Sequence, residues 1–83
     1  MNEKLENAIL LALSDRKIGL RENTLISFAK TNYGDMLLDD EKIMHTVHQL
    51  EDQAMVETFP DLSGRPLWSI TDTGLARLRE QGL

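Results

Sequence analysis

The chain has 83 residues, 41% of them hydrophobic and 28% charged, enough for one small domain (residues 1–83) around one core. It contains no Cys, which excludes disulfides, Cys-zinc sites and a cysteine nucleophile. Fourteen acidic residues against nine basic ones give a net charge of −5, an unfavourable sign for a simple nucleic-acid binder. The longest apolar run, Ala8 to Leu13, is far short of the roughly 20 residues a membrane span needs, and Asn2–Glu6 is not a basic leader. A cytoplasmic protein without membrane contact is the expectation.

Leu5, Ala8, Ile9, Ala12 and Leu13 recur at helical spacing and predict a first helix over residues 2–14. Leu10 and Leu11 widen its apolar side, either to close the same core or to touch a second chain. After a polar connection, a second helix is expected from about Glu22 to Thr31, with Asn23 as N-cap, Leu25, Ile26, Phe28 and Ala29 inward, and Gly34 as a left-handed stop. Asp39 suits the N-cap of a third helix, and Leu38 and Ile43 straddle it as a hydrophobic staple. Ile43, Val47, Leu50 and Ala54 then form one stripe, which takes the helix to Gln53 or Ala54.

Beyond it the period changes. Val56–Phe59 and Leu67–Ile70 read as two strands around the turn chemistry of Pro60–Pro66, a β-hairpin with Trp68 and Ile70 on one face. Thr71 caps a last helix, in which Leu75, Ala76 and Leu78 face inward, Arg77, Arg79 and Glu80 face outward, and Gly82 marks the stop. The expected core is Leu5, Ile9, Leu13, Leu25, Phe28, Ile43, Val47, Leu50, Val56, Trp68, Ile70, Leu75 and Leu78.

Two stretches carry a resemblance. Trp68-Ser69-Ile70-Thr71-Asp72-Thr73-Gly74-Leu75-Ala76-Arg77-Leu78 is similar to the "Y-x-I/L-T-x-x-G-x-x-x-L" pattern of winged helix-turn-helix regulators of the PadR and MarR type. Val47 to Val56 resembles their junction between recognition helix and wing, with Ala54 where Gly is common. The resemblance implies an α+β fold: a small winged helix-turn-helix domain of three helices, a hairpin wing and a C-terminal helix. It also implies a short strand at residues 17–20 that pairs with the wing, and a Gly74 that lets the last helix pack closely. The function it implies is sequence-specific binding of double-stranded DNA by a small transcriptional regulator, the third helix in the major groove and the wing tip on the backbone or in the minor groove.

On that frame Lys42, His45, Thr46 and Gln49 are the candidates on the reading helix, Arg65 is the candidate at the wing tip, and Arg21 and Lys30 flank the second helix. Arg16 and Lys17 are further basic residues. Gln can bind adenine through two hydrogen bonds, and Lys and Arg neutralise phosphates. The same helix also argues the other way. From Asp39 to Glu57 six carboxylates stand against Lys42, so this segment alone carries −5. The alternative is therefore an acidic winged helix that binds protein, an adaptor or nucleic-acid mimic. Its face would be Asp40, Glu41, His45, His48 and Asp52, meeting a basic protein surface, with Phe59, Pro60 and Leu62 adding apolar contacts. A homodimer would share the electrostatic load on DNA, and Leu10, Leu11, Leu78 and Leu83 are the apolar residues for it unless they fill a monomer's core.

The residues offer little chemistry of other kinds. His45 and His48 are three apart with no third His, a spacing better explained by a solvated helix face than by a metal site. Ser14, Ser27, Ser63 and Ser69 lack a nucleophile elbow, and Leu62-Ser63-Gly64-Arg65 is a turn without the Gly and Lys of a phosphate loop. The expectation is a non-enzyme without metal or cofactor.

Overall fold

The computed structural model describes residues 2–15 and 19–82. Arg16, Lys17, Ile18 and Leu83 lie outside the described residues. Helices α1 (Glu3–Ser14), α2 (Glu22–Tyr33) and α3 (Asp40–Asp52) precede strands β1 (Val56–Pro60) and β2 (Pro66–Ile70), and α4 (Asp72–Glu80) follows.

Each helix begins where the chain supplies an acceptor or an extended residue. The Asn2 side chain accepts from the Leu5 amide at 3.1 Å. Asp39 accepts from Glu41 at 3.1 Å, and Thr71 accepts from Gly74 at 3.1 Å. Helix α2 is different. Its N-cap is Arg21, which makes no side-chain cap bond, and Asn23 lies inside the first turn. Asn23 is therefore not the cap that its residue type suggests, because the extended backbone sits two residues earlier. Gly34 ends α2 at φ +90°, as expected of a left-handed stop.

The core gathers Leu5, Ile9, Leu13, Leu25, Ile43, Val47, Leu50, Val56, Trp68 and Leu78. Leu10 joins them fully buried, so it fills this chain's own core. Phe28 and Ile70 pack against the cluster half-buried, and Leu75 is also only half-buried. Ala76 is exposed, contrary to expectation. Helix α1 is the central prop, touching α2, α3, α4 and β2.

The α3 stripe stops one turn early. Ala54 is exposed and adopts φ +61°, beyond the helix end at Asp52. A left-handed alanine costs about 1–2 kcal/mol, which explains why glycine suits this junction. Two bonds use that bend: the Thr71 hydroxyl donates to the Ala54 carbonyl at 2.6 Å, and the Thr71 amide donates to the Met55 carbonyl at 3.0 Å. They dock the start of α4 on the end of α3. Gly74 makes the approach feasible, since a side chain there would run into the Met55 carbonyl and within 2.7 Å of Ile70 Cγ1.

Strands β1 and β2 pair antiparallel from Val56–Ile70 to Pro60–Pro66. Leu20 bridges Trp68 through bonds of 2.8 and 2.7 Å, so the expected third strand is present at that residue. Arg77, expected outside, is instead drawn inward to Glu6. Their side chains are 15% and 2% exposed, and the pair ties α4 to α1.

Candidate nucleic-acid interface

Helix α3 presents two faces set by its period. Ile43, Val47 and Leu50 are fully buried, while Glu41, Lys42, His45, His48, Gln49 and Asp52 are exposed. Lys42, His45 and Gln49, at i, i+3 and i+7, share one stripe of the open face. Thr46 does not belong with them. It is buried, and its hydroxyl donates to the Lys42 carbonyl at 3.0 Å. The spacing already contained this, since Thr46 stands three residues after Ile43 and four before Leu50, on the apolar side.

The wing stands beside the carboxyl-terminal half of α3. His48 packs edge-to-face on Trp68 with ring centroids 5.3 Å apart, and its Nδ1 lies 3.3 Å from Glu51 Oε1. His48 is thus engaged toward the wing, leaving His45 as the more open imidazole.

The basic candidates differ in how free they are. Lys30 pairs with Asp40 at 2.7 Å, linking α2 to the first turn of α3. Arg21 pairs with Asp61 at 3.0 Å, linking the start of α2 to the wing. Among the described residues Lys42 and Arg65 enter no ion pair, and both are exposed. Arg21, Glu22, Asn23, Arg65 and Pro66 line a cleft of about 220 Å³ between α2 and the wing, with both guanidinium-bearing residues at its walls.

Asp61 organises the wing tip. Its Oδ1 accepts from the Ser63 hydroxyl at 2.6 Å and from the Ser63 and Arg65 amides at 2.8 and 3.0 Å. The Ser63 hydroxyl bond, above all, holds its carboxyl below the usual value of 3.8; desolvation opposes it, and the Arg65 and Ser63 amides and the Arg21 charge add to the lowering. This hub was not read from the sequence. The signal for it is Asp-x-Ser-Gly, in which an Asp side chain closes a turn on the amide two residues on.

The arrangement of a third helix with an open face, a hairpin beside it and a helix docked behind decides the architecture. The chain is a winged helix-turn-helix domain. This winged helix matches solved regulators of the MarR type. The PcaV transcriptional regulator from Streptomyces coelicolor, solved with its natural ligand, is 28% identical with a TM-score of 0.71, over 93% of this chain and 50% of that one. CouR from Rhodococcus jostii, bound to p-coumaroyl-CoA, is 24% identical with a TM-score of 0.67, over 93% and 50%. A MepR mutant from S. aureus is 16% identical with a TM-score of 0.71, over 96% and 54%. The winged helix therefore spans about half the length of each structure it matches. Neither a protein-family model nor a curated protein sequence matches it.

Among the described residues no cluster of three or more His, Asp or Glu gathers to hold a metal ion. No helix among them is long and apolar enough to cross a membrane.

Proposed function

We propose that this winged helix binds double-stranded DNA in a sequence-dependent way and acts as a small transcriptional regulator. Lys42, His45 and Gln49 face the major groove, and Arg65 takes the backbone or minor groove from the wing tip. The observation that carries this reading is the uncovered Lys42–His45–Gln49 stripe beside the wing, in a fold matched over 93% of its length by a transcriptional regulator. Arg21 and Lys30 contribute less, because each must first leave a carboxylate partner. Thr46 supports the helix from inside. Two chains on one duplex double the cations available, and a homodimer is part of the proposal.

Selection of duplexes from a random library at low salt, followed by a salt titration of the winner, tests this. One enriched motif with a clear salt slope is expected, and a palindrome identifies the dimer. Arg65→Ala should weaken binding to all sequences and reduce the salt slope by about 1, whereas Gln49→Ala should change the preferred base. Failure to bind any duplex at low salt overturns the proposal.

A second reading has its own observation. On the open face of α3, Glu41 and Asp52 stand against Lys42, and among the described residues neither carboxylate enters an ion pair. An acidic interaction module would use Asp40, Glu41, His45, His48 and Asp52 against a basic protein surface. Retention of a basic partner by the wild type, and its loss in Glu41→Lys with Asp52→Lys, is what that reading expects.

A further inference from the structure

The wing tip is fixed more firmly than a loop between two strands requires. Three bonds converge on Asp61 Oδ1, and Arg21 holds Oδ2 at 3.0 Å. Two backbone bonds cross the same loop, Gly64 N–H to the Asp61 carbonyl at 3.0 Å and Asp61 N–H to the Arg65 carbonyl at 2.8 Å. Pro60 and Pro66 close the ladder beneath it. The carboxylate of the tip is therefore turned inward and its charge is met from within.

What the tip sends outward is Leu62, 110% exposed, as bare as in an extended peptide. A bare leucine on a mobile loop would mean nothing. Here the loop is pinned at its centre, so Leu62 is held clear of its own chain, with the exposed Arg65 on the same turn.

We propose that the wing tip is a minor-groove wedge. Leu62 enters between two base pairs, Arg65 lies along the groove, and the protein bends the DNA it holds. The proposal rests on the DNA-binding reading above and deepens it. Apolar side chains inserted from the minor groove unstack a base step and kink the duplex by about 20–90°. Pyrimidine–purine steps yield most easily, so the wedge selects TA or CA/TG at the wing position. Unstacking costs a few kcal/mol, which leaves little to spare for ordering the wedge itself. A tip already ordered by Asp61 removes that second cost. At the tip Arg21 answers the Asp61 carboxylate, so among the described residues the exposed Arg65 is left as an uncompensated positive charge to meet a polyanion. A protein socket is the other occupant for a bare leucine, and the exposed Arg65 on the same turn, in no ion pair among the described residues, favours a polyanion.

The test uses the duplex that wins the selection, labelled at both ends, with bending read by energy transfer. Wild type should bend it by at least about 20°. Leu62→Ala should remove most of the bend and weaken binding about tenfold, from the apolar surface left unburied. It should also lose the preference for a flexible step while keeping the rest of the motif. Leu62→Phe should retain the bend. Leu62 is fully exposed and buries nothing in its own core, so an unchanged melting temperature accompanies both variants. A straight wild-type complex, or a Leu62→Ala complex bent like wild type, overturns the wedge and leaves DNA binding standing, with Leu62 then assigned to a protein contact. Absence of any DNA binding by wild type overturns the DNA reading and the wedge with it.

Discussion

Two ion pairs hold the two ends of this molecule, and they do different work. Glu6–Arg77 lies almost entirely out of water and joins α1 to α4. Arg21–Asp61 joins α2 to the wing with the arginine half in solvent. Burial decides what each is for. A buried pair that loses one member strands the other charge in an apolar place, whereas an exposed pair that loses one member exchanges it for water. The first is a condition of folding. The second sets the attitude of a surface tip and contributes little to the stability of the whole.

The largest effect that tests this contrast is Arg77→Ala, which should lower stability by about 3–5 kcal/mol as read from the denaturant midpoint. The double change Glu6→Leu with Arg77→Met should recover most of that loss, because it removes both charges and keeps the volume. If Arg77→Ala costs no more than Arg21→Ala, the contrast is wrong. Next, Gly74→Ala should cost about 1–3 kcal/mol by forcing α4 off the Met55 carbonyl and Ile70, with the loss seen in thermal melts. Ala54→Gly should work in the opposite direction and raise stability by about 1 kcal/mol, since glycine takes the left-handed conformation freely.

The smallest effect belongs to the wing. The Asp61 carboxyl titrates below 3.8 in the folded protein. Its stabilising bonds are therefore complete above that pH and are lost as the pH falls through the lowered value. Amide exchange at Ser63 and Arg65, compared with a core amide such as Leu50, should accelerate selectively in that acid range. Arg21→Ala should shift the onset to slightly higher pH with the melting temperature nearly unchanged. Simultaneous loss of wing and core would mean the tip is not a separate unit.

The same division marks what the sequence disclosed. Features written within a few neighbouring residues were legible: the Asp39 and Thr71 caps, the Gly34 stop, and the hairpin that places Trp68 inward. Features that need a remote partner were not. Glu6 looks like an ordinary surface acid, and only the 71-residue separation closed by the fold reveals Arg77 as its partner. Asn23 was the better capping residue by type, yet the strand-like bridge at Leu20 sets where α2 begins. Of the candidate DNA-contacting residues, Lys42, His45, Gln49 and Arg65 are exposed, as the helical period expects of His45 and Gln49 and turn chemistry of Arg65. Thr46 was misplaced because its polarity outweighed its position. The engagement of Lys30 and Arg21 with Asp40 and Asp61 was invisible, because net charge counts residues and says nothing of which are already paired.

The bridge between Leu20 and Trp68 also has a kinetic meaning. It joins residues 48 apart in sequence, and the Glu6–Arg77 pair joins residues 71 apart. Helices α2 and α3 need no such reach, since their hydrogen bonds close within a turn. Loop-closure entropy is lost before long-range contacts return it, so these two clasps form late and the helices early. Refolding should therefore show helical signal ahead of Trp68 burial. The seating of the wing against Leu20 is recorded by the protein's one tryptophan.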